Sequence, residues 1–186
     1  MMEIKMKTKK LIILFCLAFL ILFSLKPIFA QETEIPEASL SPKVEYSLPY
    51  PGILPDHPLY FLKVLRDRIL DILIQDPIKR IEFNLLMADK RLNMGIFLME
   101  KGKPVLAETT VSKGEKYFLK VIEEIKKAKD LGREVDQQLL AKLKTASFKH
   151  EEVILELLEK APDEQKVGFN SSLELVKEIQ EKIGGE

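Results

Sequence analysis

Apolar residues recur at alternating intervals of three and four along two long stretches of the chain. This spacing favours helices that pack along a continuous seam. The first seam comprises Ile78, Ile81, Leu85, Ala88, Leu92, Gly95 and Met99, and the second comprises Ala107, Val111, Gly114, Phe118, Val121, Ile125 and Ala128. Proline and glycine mark the ends of both stretches, with Asp76 as the expected N-cap of the first. The sequence therefore predicts helices over residues 77–101 and 104–131.

Three further helices are predicted, over residues 58–75, 135–160 and 163–183. The first of them has only a narrow polar face, so we expect it to be a central helix, capped by Asp56 or His57. The connections between the five segments are short, and no convincing strand is found. The predicted fold is all-α, an up-and-down antiparallel helical bundle of about five helices.

Each seam contains one glycine, Gly95 in the first and Gly114 in the second. A glycine inside a helix costs about 1 kcal/mol relative to alanine, so its presence needs a reason. One interpretation is a gap for a ligand, and the other is a close approach of two antiparallel backbones. We expect the close approach, with the two glycines on facing sides and within about two helical turns of each other.

The first 30 residues have the order of a secretory signal. Five lysines against Glu3 give this segment a charge of +4, and the uncharged run Leu11–Leu25 follows. Ala30 supplies a small residue at the expected cleavage site, so Gln31 would become the new N-terminus. An uncleaved membrane anchor is one alternative. A lipid on Cys16 is another, although the preceding Phe15 is not the small residue that such a site requires.

The sequence divides into residues 1–30 as signal peptide or anchor, 31–47 as a flexible linker and 48–186 as the helical domain. The domain opens with a proline-rich motif at residues 48–58. It could be an extended strap, with Tyr50, Ile53, Leu54 and Tyr60 covering the end of the bundle, or a docking surface for a partner. The candidate docking residues are Tyr50, Pro51, Gly52, Ile53, Leu54, Pro55, His57 and Pro58.

Few residues suited to catalysis or metal binding are present. The chain has two histidines and one cysteine, whereas a zinc site needs three or four ligands. His150 lies on an apolar stripe and is interpreted as a hydrogen-bonded core residue, and His57 as a turn or capping residue. No phosphate-binding glycine loop is found. We expect no catalytic residues, no metal, no cofactor and no enzymatic activity.

The charge pattern does not favour nucleic-acid binding. Twenty-nine basic residues balance 29 acidic ones, and the +4 of the first 30 residues leaves −4 for the remainder. One basic cluster occurs, and acids interrupt it. Its bases are Lys120, Lys126, Lys127, Lys129 and Arg133, and the interrupting acids are Glu123, Glu124 and Asp130. We interpret it as a solvated helix face.

The stretch LPYPGILPDHPLYFLKVLRDRI, residues 48–69, resembles the opening motif of a family of exported bacterial helical proteins. That family is known only as a domain of unknown function. The segments at residues 88–92, 114–117 and 149–153 also resemble its helix signatures, and the similarity covers residues 48–162. The resemblance implies an exported or envelope-facing helical domain and supplies no catalytic residues.

Two function classes follow from these observations. The first is a non-enzymatic extracytoplasmic helical module that binds an unknown protein partner or has a structural role at the cell envelope. The alternative is an envelope stress or metal-responsive helical binding protein. Either would be exported and would be periplasmic, extracellular or anchored to the outer face of the cytoplasmic membrane. Membrane contact is expected only through residues 1–30, if they are uncleaved, and no nucleic acid is expected as a partner.

Overall fold

A computed structural model describes residues 43–185, and this part contains five helices and no strand. The helices are α1 (Tyr60–Leu73), α2 (Pro77–Glu100), α3 (Pro104–Asp130), α4 (Gln137–Lys160) and α5 (Asp163–Gly184). Each predicted helix is present, with ends within two residues of the prediction. The all-α prediction is confirmed. The predicted signal segment, its cleavage site at Ala30 and Gln31, and Cys16 lie outside the described residues.

Local sequence signals explain most of the helix ends. The Asp76 side chain accepts a hydrogen bond from the backbone N–H of Lys79 at 3.1 Å, which confirms it as the N-cap of α2. Gly102 and Gly132 follow α2 and α3 with φ of +68°, a conformation that favours glycine. The start of α1 differs from the prediction, because its N-cap is Leu59 and no side chain caps it. His57 instead stabilises the preceding turn, since its Nδ1 accepts a hydrogen bond from the Leu59 N–H.

Helices α2–α5 form two antiparallel hairpins that pack side by side. α2 packs against α3 and α4 against α5, and the hairpins meet where α2 contacts α4 and α3 contacts α5. Asp89 lies beside His150, and Gly95 lies beside Leu157 one to two turns further along both helices. α2 and α4 therefore run in the same direction. Because α3 packs against α2 and α5, and α4 packs against the same two helices, α3 lies diagonally across the core from α4.

The two seam glycines bring α2 and α3 together, as predicted. Both are buried. A Cβ added to Gly114 would lie 3.3 Å from the carbonyl oxygen of Ala88 and 3.1 Å from the Cβ of Arg91. A Cβ added to Gly95 would overlap Cγ2 of Val111. Each glycine therefore faces the other helix, and the close approach of antiparallel backbones is confirmed.

The interior of the bundle consists of two apolar clusters. The first lies toward the end of the bundle that contains the loop between α2 and α3, and the second lies toward the opposite end. The first includes Leu92, Leu98, Val111, Ile154, Leu157 and Phe169, and the second includes Ile81, Leu85, Phe118, Val121, Leu143 and Ile179. Along α2, α3 and α4, buried ionisable residues stand between the two sets. Three of them, Asp89, Glu115 and His150, are joined by hydrogen bonds to the imidazole of His150.

Candidate functional site

Asp89, Glu115 and His150 form a buried polar layer that joins three helices. The His150 ring is fully buried, its Nδ1 lies 2.8 Å from Glu115 Oε1, and its Nε2 lies 3.1 Å from Asp89 Oδ1. A protonated imidazole donates through both nitrogens, so one imidazolium ring can satisfy both carboxylates at once. The edge of the Phe118 ring packs against the imidazole, with 4.9 Å between ring centroids.

A segment outside the helices completes the polar layer. The hydroxyl of Tyr46 donates a 2.7 Å hydrogen bond to Asp89 Oδ2, so both oxygens of that carboxylate are engaged. Burial and the neighbouring Asp89 charge raise the pKa of Tyr46 well above its ordinary value. In Glu115, by contrast, Oε2 has no hydrogen-bond partner among the described residues.

The environment of His150 favours its charged form. Burial alone lowers the pKa of an imidazole, but the charge of Glu115 and the hydrogen bonds to both carboxylates outweigh it and raise the pKa to about 9. His150 therefore carries a proton at neutral pH. Because the layer is buried and its groups face one another, the arrangement can hold helices together. It offers no nucleophile or base to a substrate.

The sequence predicted His150 as a hydrogen-bonded core residue, which is confirmed, but it did not predict the two carboxylates. A signal for them existed. Asp89 and Glu115 each directly follow a small residue of a seam, Ala88 and Gly114 respectively. A side chain that directly follows a seam position lies about 100° around the helix from it and can therefore border the buried face. Within residues 43–185, no group of three or more histidine, cysteine or acidic side chains is arranged to hold a metal ion.

An extended segment at residues 43–51, named here the N-terminal strap, crosses the groove between α2 and α4. The N–H of Val44 donates to Glu152 of α4 at 2.7 Å, and Asn93 of α2 donates to the carbonyl of Pro49 at 3.0 Å. Leu48 packs against the first apolar cluster and Tyr46 against the second. The packed segment thus includes residues 43–47, at the end of the stretch predicted to be a linker.

A packed extended segment is present, as predicted, but it spans residues 43–51 rather than 48–58 and lies in the groove between α2 and α4 rather than over the end of the bundle. Of the residues predicted to cover the bundle, Leu54 and Tyr60 are half-buried, and Tyr50 and Ile53 are exposed. Tyr50 is 79% exposed and Ile53 is 40% exposed, whereas Tyr46, Leu48 and Pro51 contact the bundle. In extended backbone, alternate side chains point to opposite sides. Even-numbered residues point inward up to Leu48, and the alternation then shifts at Pro49, so Tyr50 faces outward.

The eight candidate docking residues are divided between surface and interior. Tyr50, Gly52, Ile53, His57 and Pro58 are exposed, Leu54 and Pro55 are half-buried, and Pro51 is buried. Gly52 adopts φ of +73°, a conformation that favours glycine. Within the same motif, Asp56 accepts hydrogen bonds from Lys101 and Lys103, and these two lysines hold the pKa of Asp56 below its ordinary value. The motif is therefore fixed to the loop between α2 and α3.

Helix α1 is not a central helix, which corrects the prediction. Its buried residues are Lys63 and Asp67, and its large apolar side chains face outward. Those at least 40% exposed are Phe61, Leu62, Val64, Leu65, Ile69, Ile72 and Leu73. Polar contacts attach the helix: Lys63 Nζ donates to the carbonyl of Pro51 at 2.7 Å. Burial lowers the pKa of Lys63 to about 8, while Asp67 opposes that change. Periodicity located a polar face correctly but could not tell which face is inward.

A cleft of about 350 Å³ lies between α1 and α3 and has a cationic lining, named here the cationic cleft. Its lining residues are Tyr60, Val64, Arg91, Lys113, Lys116, Tyr117 and Lys120. The Arg91 guanidinium lies 4.1 Å from the centre of the Tyr117 ring, and Lys120 Nζ lies 4.8 Å from it. No acidic residue lines this cleft. A larger groove between α3 and α5, of about 590 Å³, mixes lysines with acids such as Glu123 and Glu178.

Comparison with known proteins identifies a family but no relative of established activity. Residues 52–164 match the model of the family described as "Domain of unknown function (DUF5667)". No curated protein and no solved structure matches the chain. None of the helices within residues 43–185 is both long enough and apolar enough to cross a bilayer.

Proposed function

The chain belongs to the family described as domain of unknown function (DUF5667), and from that premise we propose that it is a non-enzymatic helical module that binds a protein partner, or supports an assembly, at the cell envelope. The basic start of the sequence and the uncharged run Leu11–Leu25 support export. In the proposal the chain is bacterial, and it is released or remains anchored at the outer face of the cytoplasmic membrane.

The observation that carries the proposal is the outward-facing Tyr50 on a fixed backbone. The carbonyls on either side of it, those of Pro49 and Pro51, accept hydrogen bonds from Asn93 and Lys63. An exposed tyrosine on a backbone that is already held in place loses little backbone freedom on binding, so it is well suited to anchor a partner. The exposed Ile53 adds apolar surface to the same motif.

The closed polar layer supports a binding or structural role over an enzymatic one. The described part of the chain has two histidines: His150 has both ring nitrogens engaged and a fully buried ring, and Nδ1 of His57 accepts a hydrogen bond from the backbone of its own turn. A general base must reach the proton that it abstracts from a substrate. The layer contributes to stability, and the exposed motif remains for recognition.

Site-specific photo-crosslinking in the native compartment tests the proposal. A benzophenone amino acid is placed at Tyr50 in the full chain, and in the matched control it is placed at Val167, which is comparably exposed on α5. We expect one discrete protein adduct from position 50 that is absent from position 167. The same adducts from both positions, or none from position 50, would contradict the docking role.

A further inference from the structure

We propose that α1 and the cationic cleft together form a binding site for an anionic phospholipid surface. This inference goes beyond the proposed function because it assigns a lipid contact to the helical domain. The sequence predicted membrane contact only through residues 1–30. It rests on the proposed location at the envelope.

Helix α1 exposes a large apolar face. Phe61, Leu65, Ile69 and Ile72 are each at least half exposed and follow one another at intervals of three and four, so they form one stripe. With Leu62 and Leu73, the stripe presents roughly 700 Å² if a large side chain offers about 200 Å² in full. Exposed apolar patches on monomeric proteins are usually smaller and often mark interaction sites.

Cations border this face on the side of the cleft. Tyr60, Val64 and Arg68 form the next row along α1, and the first two line the cleft. Arg68 is exposed and has no carboxylate partner among the described residues, and the same holds for Lys113 and Lys116 on α3. A row of unpaired cations beside an apolar stripe suits a surface whose phosphate groups lie directly above its acyl chains.

The charges of α1 do not suit a second copy as the occupant. Both acids of the helix point away from the exposed face, since Asp67 is buried and pairs with Arg66, and Asp71 pairs with Arg80. In a symmetric pair of α1 helices, the bordering cations of the two copies would meet with no acid between them. Like charges brought together across an interface cost several kcal/mol.

The dimensions of α1 favour a helix that lies on the surface. Its 14 residues extend about 21 Å, less than the thickness of a bilayer core. The uncharged run that ends at Leu25 precedes the strap by 17 residues, which can extend about 60 Å at most. If the uncharged run remains in the membrane, the described domain stays within reach of the surface of that membrane.

The chain has no tryptophan, so one introduced tryptophan gives an unambiguous optical signal. The full chain carrying Phe61→Trp is mixed with vesicles of phosphatidylglycerol and phosphatidylcholine. Its matched control carries Val167→Trp on α5, which contributes nothing to the cleft. We expect the emission of Trp at position 61 to shift to shorter wavelength and to be quenched by brominated acyl chains, and the emission at position 167 to change in neither respect. Because the reporter responds locally, insertion of the N-terminal run alone does not reproduce this result.

Charge variants test the cleft in the same assay. Lys113→Glu combined with Lys116→Glu should weaken the interaction of the Phe61→Trp chain with anionic vesicles by about tenfold or more, since each surface cation contributes measurably to binding of acidic lipid. The matched control is Lys142→Glu with Lys144→Glu on α4, which changes the net charge equally and should leave the interaction near its original strength. An equal loss in both double variants would overturn the role of the cleft.

Three further results would also overturn the proposal. The first is no emission shift with anionic vesicles, or an equal shift with pure phosphatidylcholine. The second is stabilisation of the cleft by inorganic phosphate without any response to vesicles. The third is a dimer in sedimentation that Leu65→Glu dissociates, which would identify a second copy as the occupant. None of these results bears on crosslinking at Tyr50, so failure of the lipid site and failure of the proposed function can be told apart.

Discussion

At the scale of the residue, His150 makes the stability of the molecule depend on pH. Its pKa is about 9 in the folded chain, against 6.5 for an ordinary histidine. A raised pKa stabilises the folded state fully below about pH 6.5, and that contribution disappears as the pH rises through 9. We expect the contribution of His150 to the free energy of unfolding to fall by about 3 kcal/mol across this window, measured by urea titration at fixed ionic strength as the difference from a variant without the histidine.

His150→Gln is the control for that prediction, because glutamine is neutral and of similar size. The variant should be less stable at pH 6.5, and its stability should change much less between pH 6.5 and 9. Lys63, whose pKa is lowered to about 8, acts with the opposite sign in the upper part of the window. Its effect is present in both proteins and cancels in their difference. The same pH slope in both proteins would contradict the role of His150.

A second residue-scale prediction concerns the link between the strap and the layer. Tyr46→Phe removes the hydroxyl that donates to Asp89 Oδ2 and leaves an oxygen of a buried carboxylate without its partner. We expect a loss of about 2 kcal/mol in the free energy of unfolding and faster hydrogen exchange at Val44. Tyr50→Phe is the matched control. Tyr50 is 79% exposed, so the loss of its hydroxyl should change the free energy of unfolding very little. Equal effects of the two substitutions would show that Tyr46 does not hold the strap.

Sequence reasoning identified His150 but not its partners, for a physical reason. The apolar stripe around His150 belongs to a single helix and can be read from local spacing. Asp89 and Glu115 come from two other helices, and only the packing of all three brings them to one level. Tyr46 was missed because it stands in a segment with no helical period, where an isolated aromatic residue carries little information about its direction.

At the scale of the element, the α2–α3 contact depends on the absence of two side chains. Gly114→Ala places a methyl group 3.3 Å from the Ala88 carbonyl oxygen, which belongs to the backbone and cannot move aside easily. We expect a net loss of about 1 kcal/mol despite the better helix propensity of alanine. Gly184→Ala, with no neighbouring atom within 4 Å of the added methyl group, should be neutral or slightly stabilising. Thermal unfolding compares the two variants directly.

Gly95 offers a test of a different kind, because the obstacle there is a side chain. A methyl group at position 95 overlaps Cγ2 of Val111, so Gly95→Ala alone should cost about 2 kcal/mol. Val111→Ala removes the obstacle. The double variant should therefore be more stable than the sum of the two single losses, by at least about 1 kcal/mol in a double-mutant cycle. Strict additivity would mean that the two helices separate to relieve the overlap.

The helix ends were largely predictable, whereas the orientation of α1 was not. Proline, glycine and capping residues act through the backbone next to them. The helix ends marked by Pro77, Gly102 and Asp76 therefore do not depend on the rest of the fold. Which face of α1 lies inward depends on what the rest of the molecule offers. Here the carbonyl of Pro51 accepts a hydrogen bond from Lys63, and the leucines and isoleucines of the other face remain exposed.

At the scale of the whole molecule, the structure predicts two levels of stability. Helices α2–α5 share both apolar clusters, while α1 contributes to neither. Local opening of α1 should therefore need far less free energy than global unfolding. Native-state hydrogen exchange should show amides of residues 63–73 exchanging much faster than those of residues 84–95 in α2. Equal protection of the two segments would mean that the polar contacts of α1 are stronger than its exposure suggests.

The arrangement of the hairpins was predicted only in outline. Short connections imply that helices consecutive in the sequence pack antiparallel to each other. This holds for α2 with α3 and for α4 with α5. The pattern of apolar residues does not say which helix of one hairpin lies beside which helix of the other. That choice places α3 and α4 across the diagonal of the core, where His150 can reach Glu115.

The buried polar layer has one more consequence, which concerns alternative packings. Apolar seams with a repeat of three and four tolerate sliding by one turn, since leucine meets leucine again after the slip. Asp89, Glu115 and His150 meet only when α2, α3 and α4 stand at one level. A slip of about 5 Å would leave two carboxylates and an imidazolium buried apart, at a cost of several kcal/mol. The layer thus fixes the vertical register of the bundle and selects one structure among several that its apolar residues alone would permit.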